Sequence, residues 1–248
     1  MAGSSEEKLR VGDDSVAFVV TGFGPFQRVQ DNPTKAIVET LVEYLKQNPS
    51  TEKLAQNTST IILETSADCA RMQLDTLHDE WEKSMEAMAS AEYSTKTSAH
   101  GRVVLIHIGV NYRGKQYELE RYAYNDATFR IPDEKGYKPQ KENIIIDEPL
   151  GKRLETKLNV QQLCEELQME TTTTPKISTD PGRFVCNYTY YYSMDKLQNS
   201  TCTDNDINGK NVYSLFLHVP KFEIAPKEEQ MKFVADLMTK INKQICSS

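Results

Sequence analysis

The chain is 248 residues long and carries 36 acidic against 29 basic side chains, a formal net charge of −7. That length can bury a sizeable core, and an α/β chain of this size is commonly one domain. Net negative charge with scattered lysines and arginines argues against nucleic acid or an anionic membrane as partner, and no apolar run approaches the ~20 residues that span a bilayer.

Residues 1–14 are polar and charged, with neither the apolar core of a signal peptide nor the bias of a transit peptide. They read as a disordered tail ahead of one domain over residues 15–248, in a soluble cytoplasmic protein. Val16–Thr21 is a continuous apolar β run of the buried, parallel-sheet type. It empties into Gly22-Phe23-Gly24-Pro25-Phe26, a glycine turn carrying two phenylalanines. Asn32-Pro33-Thr34 then starts a helix with Ala36, Ile37, Leu41, Val42 and Leu45 as its stripe. Strand, glycine loop and helix open a doubly wound sheet. The turn lacks the third glycine and acid of a dinucleotide fingerprint and the Lys-Ser/Thr of a P-loop, so no nucleotide is expected.

Thr60–Thr65 is a second strand, followed by a helix-forming stretch over residues 68–90 in which Trp81 reads as a packing anchor. Residues 91–101 are small and polar, a loop. Val103–Gly109 is the third strand, and its one polar residue, His107, reads as a hydrogen-bonded core histidine. Gln116–Asn125 alternates as a strand partly exposed to solvent, and Asn125–Asp133 is an irregular wall of a cleft. Residues 137–155 are loop-rich with room for a short hairpin. Asn159 caps a helix with Val160, Leu163, Cys164 and Leu167 inward. After a threonine linker, a strand end, a Pro-Gly turn and a helix occupy residues 178–192. Residues 198–211 form an exposed loop, Val212–Pro220 is the last strand, and a helix from about Ala225-Pro226 to Gln244 closes the chain. Strands alternating with helices give a single α/β domain: a three-layer α/β/α open twisted mixed sheet with helices on both faces.

Five cysteines occur, Cys69, Cys164, Cys186, Cys202 and Cys246. The odd number and the lack of a CxxC suit neither zinc nor a disulfide framework, so a reducing compartment is expected. The N-x-S/T triplets at Asn57, Asn187 and Asn199 read as chance matches. Cys186 stands near a helix start, where free backbone N–H groups and the helix dipole favour an anion. Such a setting favours the thiolate, the nucleophilic form, and the same N–H groups can hold an oxygen that turns negative. The plainer reading is a small buried apolar residue.

His218 ends a buried strand just before Pro220, on the carboxyl edge where sites gather in open α/β sheets. Cys186 also follows a strand end, so the two can meet on one rim. A cysteine and a histidine are the minimum for thiol acyl transfer, and a carboxylate usually orients the imidazole. From the residues alone that carboxylate is Glu120 or Asp126, and either also reads as a solvated charge.

Four segments resemble the type I pyroglutamyl peptidases, the pyrrolidone-carboxylate peptidases. Thr21-Gly22-Phe23-Gly24-Pro25-Phe26 with Asn32-Pro33 is similar to the family's opening TGFxPF…NP. Glu120-Arg121, Ala123, Asn125 and Arg130-Ile131-Pro132-Asp133 are similar to its glutamate motif. Ser178 to Gly182, Phe184-Val185-Cys186-Asn187 and Tyr190 resemble its cysteine signature, and His218-Val219-Pro220 its histidine strand.

The resemblance implies a thiol exopeptidase acting on peptides with an N-terminal pyroglutamate, as monomer or homo-oligomer, without cofactor or metal. Carried over residue by residue, it implies Cys186 as nucleophile, His218 as base and acid, and Glu120 as the orienter of His218. Arg130 corresponds to an arginine near the developing oxyanion, and Phe23, Phe26, Asn32, Ile131, Phe184 and Val185 to the substrate pocket. A neutral five-membered lactam suits an apolar slot with a few backbone hydrogen bonds, in which an ordinary N-terminal ammonium would be desolvated without a partner. Departures from the family leave the reactive residues in place. Tyr112, Tyr117, Glu118 and Tyr122 replace small or apolar residues of the glutamate motif, Val110 stands where many bacterial members carry glutamine, and Pro181 replaces an alanine. Another thiol amidohydrolase on the same scaffold, or a non-catalytic binding relative, is the alternative.

Overall fold

The computed structural model describes residues 16–27, 29, 31–90, 102–168, 172–199 and 212–247. The tail expected over residues 1–14, the loop over 91–101, most of the polar stretch 198–211 with Cys202, and the Trp81 side chain lie outside those residues. In chain order the elements are β1 (Val16–Phe23), α1 (Pro33–Lys46), α2 (Glu52–Gln56), β2 (Thr58–Leu63), α3 (Ala67–Ser90), β3 (Arg102–Val110) and β4 (Tyr117–Glu120). Then follow β5 (Tyr122–Tyr124), β6 (Arg153–Glu155), α4 (Val160–Gln168), β7 (Pro175–Ser178), α5 (Val185–Asn199), β8 (Val212–Val219) and α6 (Lys227–Cys246).

Six strands form one sheet in the order β2-β1-β3-β8-β4-β7. The pairs among β2, β1, β3 and β8 are parallel, whereas β4 runs antiparallel to β8 and parallel to β7. The sheet is therefore mixed, as expected. It separates two apolar layers, one closed by α1, α4 and α6 and the other by α3 and α5. Strands β1, β3 and β8 sit between both layers, which is why they read as unbroken apolar runs rather than alternating ones.

Local chemistry fixes the helix starts. The Asn32 side chain accepts from the Thr34 N–H at 3.1 Å while Pro33 opens α1, and Asn159 caps α4 through the Gln162 N–H at 3.1 Å. The buried stripe of α1 is Ile37, Val38, Leu41 and Leu45. Ala36 and Val42, expected inward, are only half-buried.

The stretch 116–125 departs from the expected single, partly exposed strand. It breaks at Arg121 into β4, which is buried at all four positions, and β5, which leaves the main sheet to pair with β6. Tyr117 and Leu119 face the α6 side, where Tyr117 stacks on Phe233 at 3.7 Å between ring centroids. Glu118 and Glu120 alternate to the other face. Carboxylates there look like a solvent face in the sequence, but each has a partner on a neighbouring element, and burial is tolerated for charges that are paired.

Candidate active site

Two strand ends and one helix start build the site. In β3 and β8, Gly109 lies directly opposite His218, two residues before Pro220. In β4 and β8, Glu118 lies opposite His218 and Glu120 opposite Phe216. After β7 the chain turns through Asp180-Pro181-Gly182, where the Asp180 carboxylate accepts the Gly182 N–H at 3.0 Å. Gly182 has a φ of +80°, a left-handed conformation that glycine adopts without strain. The turn delivers Phe184 and then Val185-Cys186-Asn187, the first turn of α5. Tyr188 is the residue whose N–H first bonds back, to the Phe184 carbonyl at 3.1 Å. By helix geometry the N–H groups of the three preceding residues lie outside the helical ladder.

His218 Nδ1 lies 2.7 Å from Glu120 Oε1, with Glu120 fully buried and His218 nearly so. A carboxylate only accepts, so Nδ1 carries the proton. The Cys186 side chain hydrogen-bonds the same ring, and Nε2 is the nitrogen left for it. Burial alone, the largest single influence, pulls the His218 pKa down; Cys186 and Glu120 together outweigh it and push it from 6.5 up to about 10. Thiol, imidazole and carboxylate thus line up on one face of the sheet. Asp126, the rival carboxylate, is engaged elsewhere, accepting from Thr128 at 2.6 Å and pairing with Arg183 at 3.4 Å. His107 is a core residue, as expected: it bonds Thr21 at 2.8 Å, and burial lowers its pKa to about 3, so it stays neutral.

Three residues that the sequence reading named only as parts of a motif or strand, without a role, hold this line in place. Asn187, next to Cys186, accepts the Tyr124 N–H at 2.9 Å and donates to the Tyr124 and Asp126 carbonyls at 2.8 and 3.1 Å. It is fully buried, which removes it as a glycosylation acceptor. Tyr190 donates to the Glu120 carbonyl at 2.9 Å, so α5 is tied to the strand that carries Glu120. Gly109 supplies the third constraint. A Cβ there would lie 2.7 Å from the Phe216 ring and 3.1 Å from Cys186 Sγ. The local signal for Asn187 was a poor helix former in a first helical turn, where a side chain that competes for backbone groups needs a partner. Gly109→Ala is expected to lower kcat by about tenfold with modest change in KM, because the added methyl forces the Phe216 ring aside and crowds Cys186 Sγ by a few tenths of an ångström, where a full 1 Å misplacement costs about 100-fold. The strain should also take about 1–3 kcal/mol from stability. Steady-state kinetics with a denaturant melt on the same sample checks both numbers, and a kcat within threefold of wild type contradicts the contact.

The expected pocket residues divide into two groups. Phe26 and Phe184 meet at 5.2 Å between ring centroids, Phe184 meets Phe129 at 4.8 Å, and both Phe26 and Phe184 are half-buried. Ile131 is half-buried as well, while Val185 and Phe23 are buried, Phe23 near Phe216 at 6.4 Å. Asn32 is spent on the glycine loop itself: its amide donates to the Gly24 carbonyl at 3.0 Å while its oxygen serves Thr34. Arg130 is exposed and makes no hydrogen bond or ion pair with the described residues. Asp133 of the same segment is structural, capping α3 through the Ala67 N–H at 2.9 Å. A cleft of about 720 Å³ opens nearby, lined by Asp31, Lys35, Tyr112, Lys221 and Glu223 among others. Neither Cys186, His218 nor Glu120 lines it.

An α/β/α fold that brings a thiol, an imidazole and a buried carboxylate to one rim has the make-up of a cysteine peptidase. The family model for pyroglutamyl peptidase matches residues 46–230, well over half of the chain, and the chain belongs to that family. A pyrrolidone-carboxylate peptidase of Bacillus subtilis is 28% identical over 202 residues, covering 82% of this chain and 77% of the relative. One from Pseudomonas fluorescens is 25% identical over 202 residues, with the same coverage of 82% and 77%. Among solved structures, pyroglutamyl peptidase I of Bacillus amyloliquefaciens superposes with a TM-score of 0.69 at 21% identity, covering 92% of this chain and 98% of that one. The pyrrolidone carboxyl peptidase of Thermus thermophilus gives 0.64 at 21% identity, covering 89% and 98%. At those identities the structural matches speak for the fold. Among the described residues no helix is long and apolar enough to cross a membrane.

Proposed function

We propose that this chain removes pyroglutamate from the N-terminus of peptides through a thioester on Cys186. The observation that carries the reading is the line Cys186–His218–Glu120, with the 2.7 Å Nδ1–carboxylate bond at its centre. Cys186, as thiolate, attacks the carbonyl carbon that joins pyroglutamate to the next residue. The oxygen that turns negative is met by N–H groups at the start of α5, with the unpartnered Arg130 guanidinium as further counter-charge. The tetrahedral centre collapses as His218 Nε2 gives its proton to the departing amine, and the peptide leaves. Water then enters, His218 takes its proton, and hydroxide attack on the thioester frees pyroglutamate and returns the thiol. Glu120 keeps the imidazole in the tautomer that both proton transfers need. Phe26, Phe184 and Ile131, with Phe23 and Val185 behind them, supply the apolar slot for the lactam ring. Every proton in this sequence moves between water, substrate and these side chains, so the steps call on no metal or cofactor.

A slot without a counter-charge selects against ammonium. Fluorogenic amides of pyroglutamate, proline and glutamine, assayed under reductant with the same leaving group, are expected to separate by 100-fold or more in kcat/KM in favour of pyroglutamate. Prolyl or glutaminyl amides cleaved as well as the pyroglutamyl one would point instead to a different thiol amidohydrolase on this scaffold.

A further inference from the structure

Glu118 departs from the family's motif, and it lies directly across the β4–β8 pair from His218. Ligand atoms of Glu118, Glu120 and His218 all lie within 4.8 Å of one another. Both oxygens of Glu118 are occupied: Oε1 pairs with Lys176 Nζ at 2.8 Å and Oε2 accepts from Asn111 Nδ2 at 2.9 Å. Lys176 comes from β7 and is itself half-exposed, while Asn111 follows the end of β3. Burial by itself would raise the Glu118 carboxyl; the bonds from Lys176 and Asn111, with the charge on His218, hold it below the usual carboxylate value. Glu118 is therefore a fixed negative charge at the imidazole, anchored so that it does not take a ring nitrogen.

We propose that Glu118 is a positioning residue: a second carboxylate that, with Glu120, keeps the proton on His218 while Lys176 limits its strength. This rests on Cys186 and His218 being the reacting pair. The charged and titratable groups around that ring are Cys186 from α5, Glu118 and Glu120 from β4, and Lys176 of β7 behind Glu118. From β3 come Gly109, opposite His218, and the neutral His107, in ring contact with Phe216 as His218 is. A negative charge near the pair favours every protonated form, so its removal slides the pH–rate bell toward acid, and removal of the neighbouring positive charge slides it toward alkali.

The test compares Glu118→Gln with Lys176→Met. In Glu118→Gln the alkaline limb of pyroglutamyl-amide cleavage is expected to fall by about one pH unit, the size of a unit-charge interaction over such a distance in a partly wetted site. In Lys176→Met both limbs should rise by a smaller amount. Alkylation of Cys186 by iodoacetamide against pH gives the acid limb without any substrate. Opposite shifts are the signature of a charge effect, because a purely structural brace would weaken both variants without moving the limbs apart. Limbs that stay put in both variants, or that shift in the same direction in Glu118→Gln and in Lys176→Met, overturn the proposal. Should Glu118→Gln fail to fold, Lys176→Met at its half-exposed position carries the comparison with wild type. A wild-type chain that shows the alkylation profile but cleaves no pyroglutamyl amide overturns the substrate reading and leaves this one to be decided by the same shifts.

Discussion

Cys186→Ala is expected to lower cleavage of a pyroglutamyl amide by roughly 10⁴-fold or more, since loss of a nucleophile leaves only binding and oxyanion stabilisation. Cys186→Ser should fare little better, because a hydroxyl is a far weaker nucleophile than a thiol at the same position. The same variant makes a second, independent prediction through His218. The folded pKa of His218, about 10, lies above its ordinary 6.5. Its contribution to stability is therefore complete below pH 6.5 and is lost as pH rises through about 10. Cys186 is one of the two partners that raise it, so in Cys186→Ala that loss, which starts from pH 6.5 in both proteins, should be smaller and should be over at lower pH. Thermal melts at intervals between pH 6.5 and 10 read the displacement directly. Retained cleavage would remove Cys186 as nucleophile, and an unmoved alkaline stability profile would remove its hydrogen bond to His218.

Much of this arrangement could be read before any coordinates, and the reasons are local. Val16–Thr21, Val103–Gly109 and Val212–Pro220 announce central strands because a strand covered on both faces has no reason to alternate. Asn32-Pro33 and Asn159 announce helix starts because capping is satisfied within three residues. His218 and Cys186 could be sent to one rim because His218 stands at the carboxyl end of one strand and Cys186 follows the end of another. The carboxylate was another matter. Glu120 and Asp126 stayed equivalent until the family resemblance separated them, because what decides is a bond between residues 98 apart in sequence. Burial of β4 was missed for the same reason: its acids look solvated unless Lys176, Asn111 and His218 are known to meet them. Asn187 and Asn125 hide their roles more completely. Asn187 reaches backbone 63 residues away, and Asn125 pins the loop around residues 144–149 through both ends of its amide. Both stand in family-like segments, but which backbone groups their amides serve is set by the fold, since any side-chain amide can serve any stray backbone group.

Glu120→Gln should separate orientation from bulk, with an expected fall in kcat/KM of about 10³–10⁴-fold, the scale seen when a triad carboxylate becomes an amide. The Glu120 side chain has no exposed surface, so it does not meet substrate, and the loss should fall on kcat rather than KM. Glutamine has two ways to sit there. With its oxygen toward His218 Nδ1 it keeps the 2.7 Å bond but sets an amide N–H₂ where Oε2, buried and without a partner, now lies. An unsatisfied buried donor costs about 1–3 kcal/mol. With its N–H₂ toward Nδ1 it demands the opposite tautomer, which puts the ring proton on Nε2 and leaves nothing to accept from Cys186. Both arrangements remove the counter-charge to the imidazolium, so the His218 pKa falls and the alkaline limb of the rate profile should move toward neutrality. That limb shift and the collapse in kcat belong to one cause and should appear together. A Glu120→Gln enzyme within tenfold of wild type would mean that packing against Phe216 and the sheet already fixes the imidazole, and that the buried carboxylate serves only as its counter-charge.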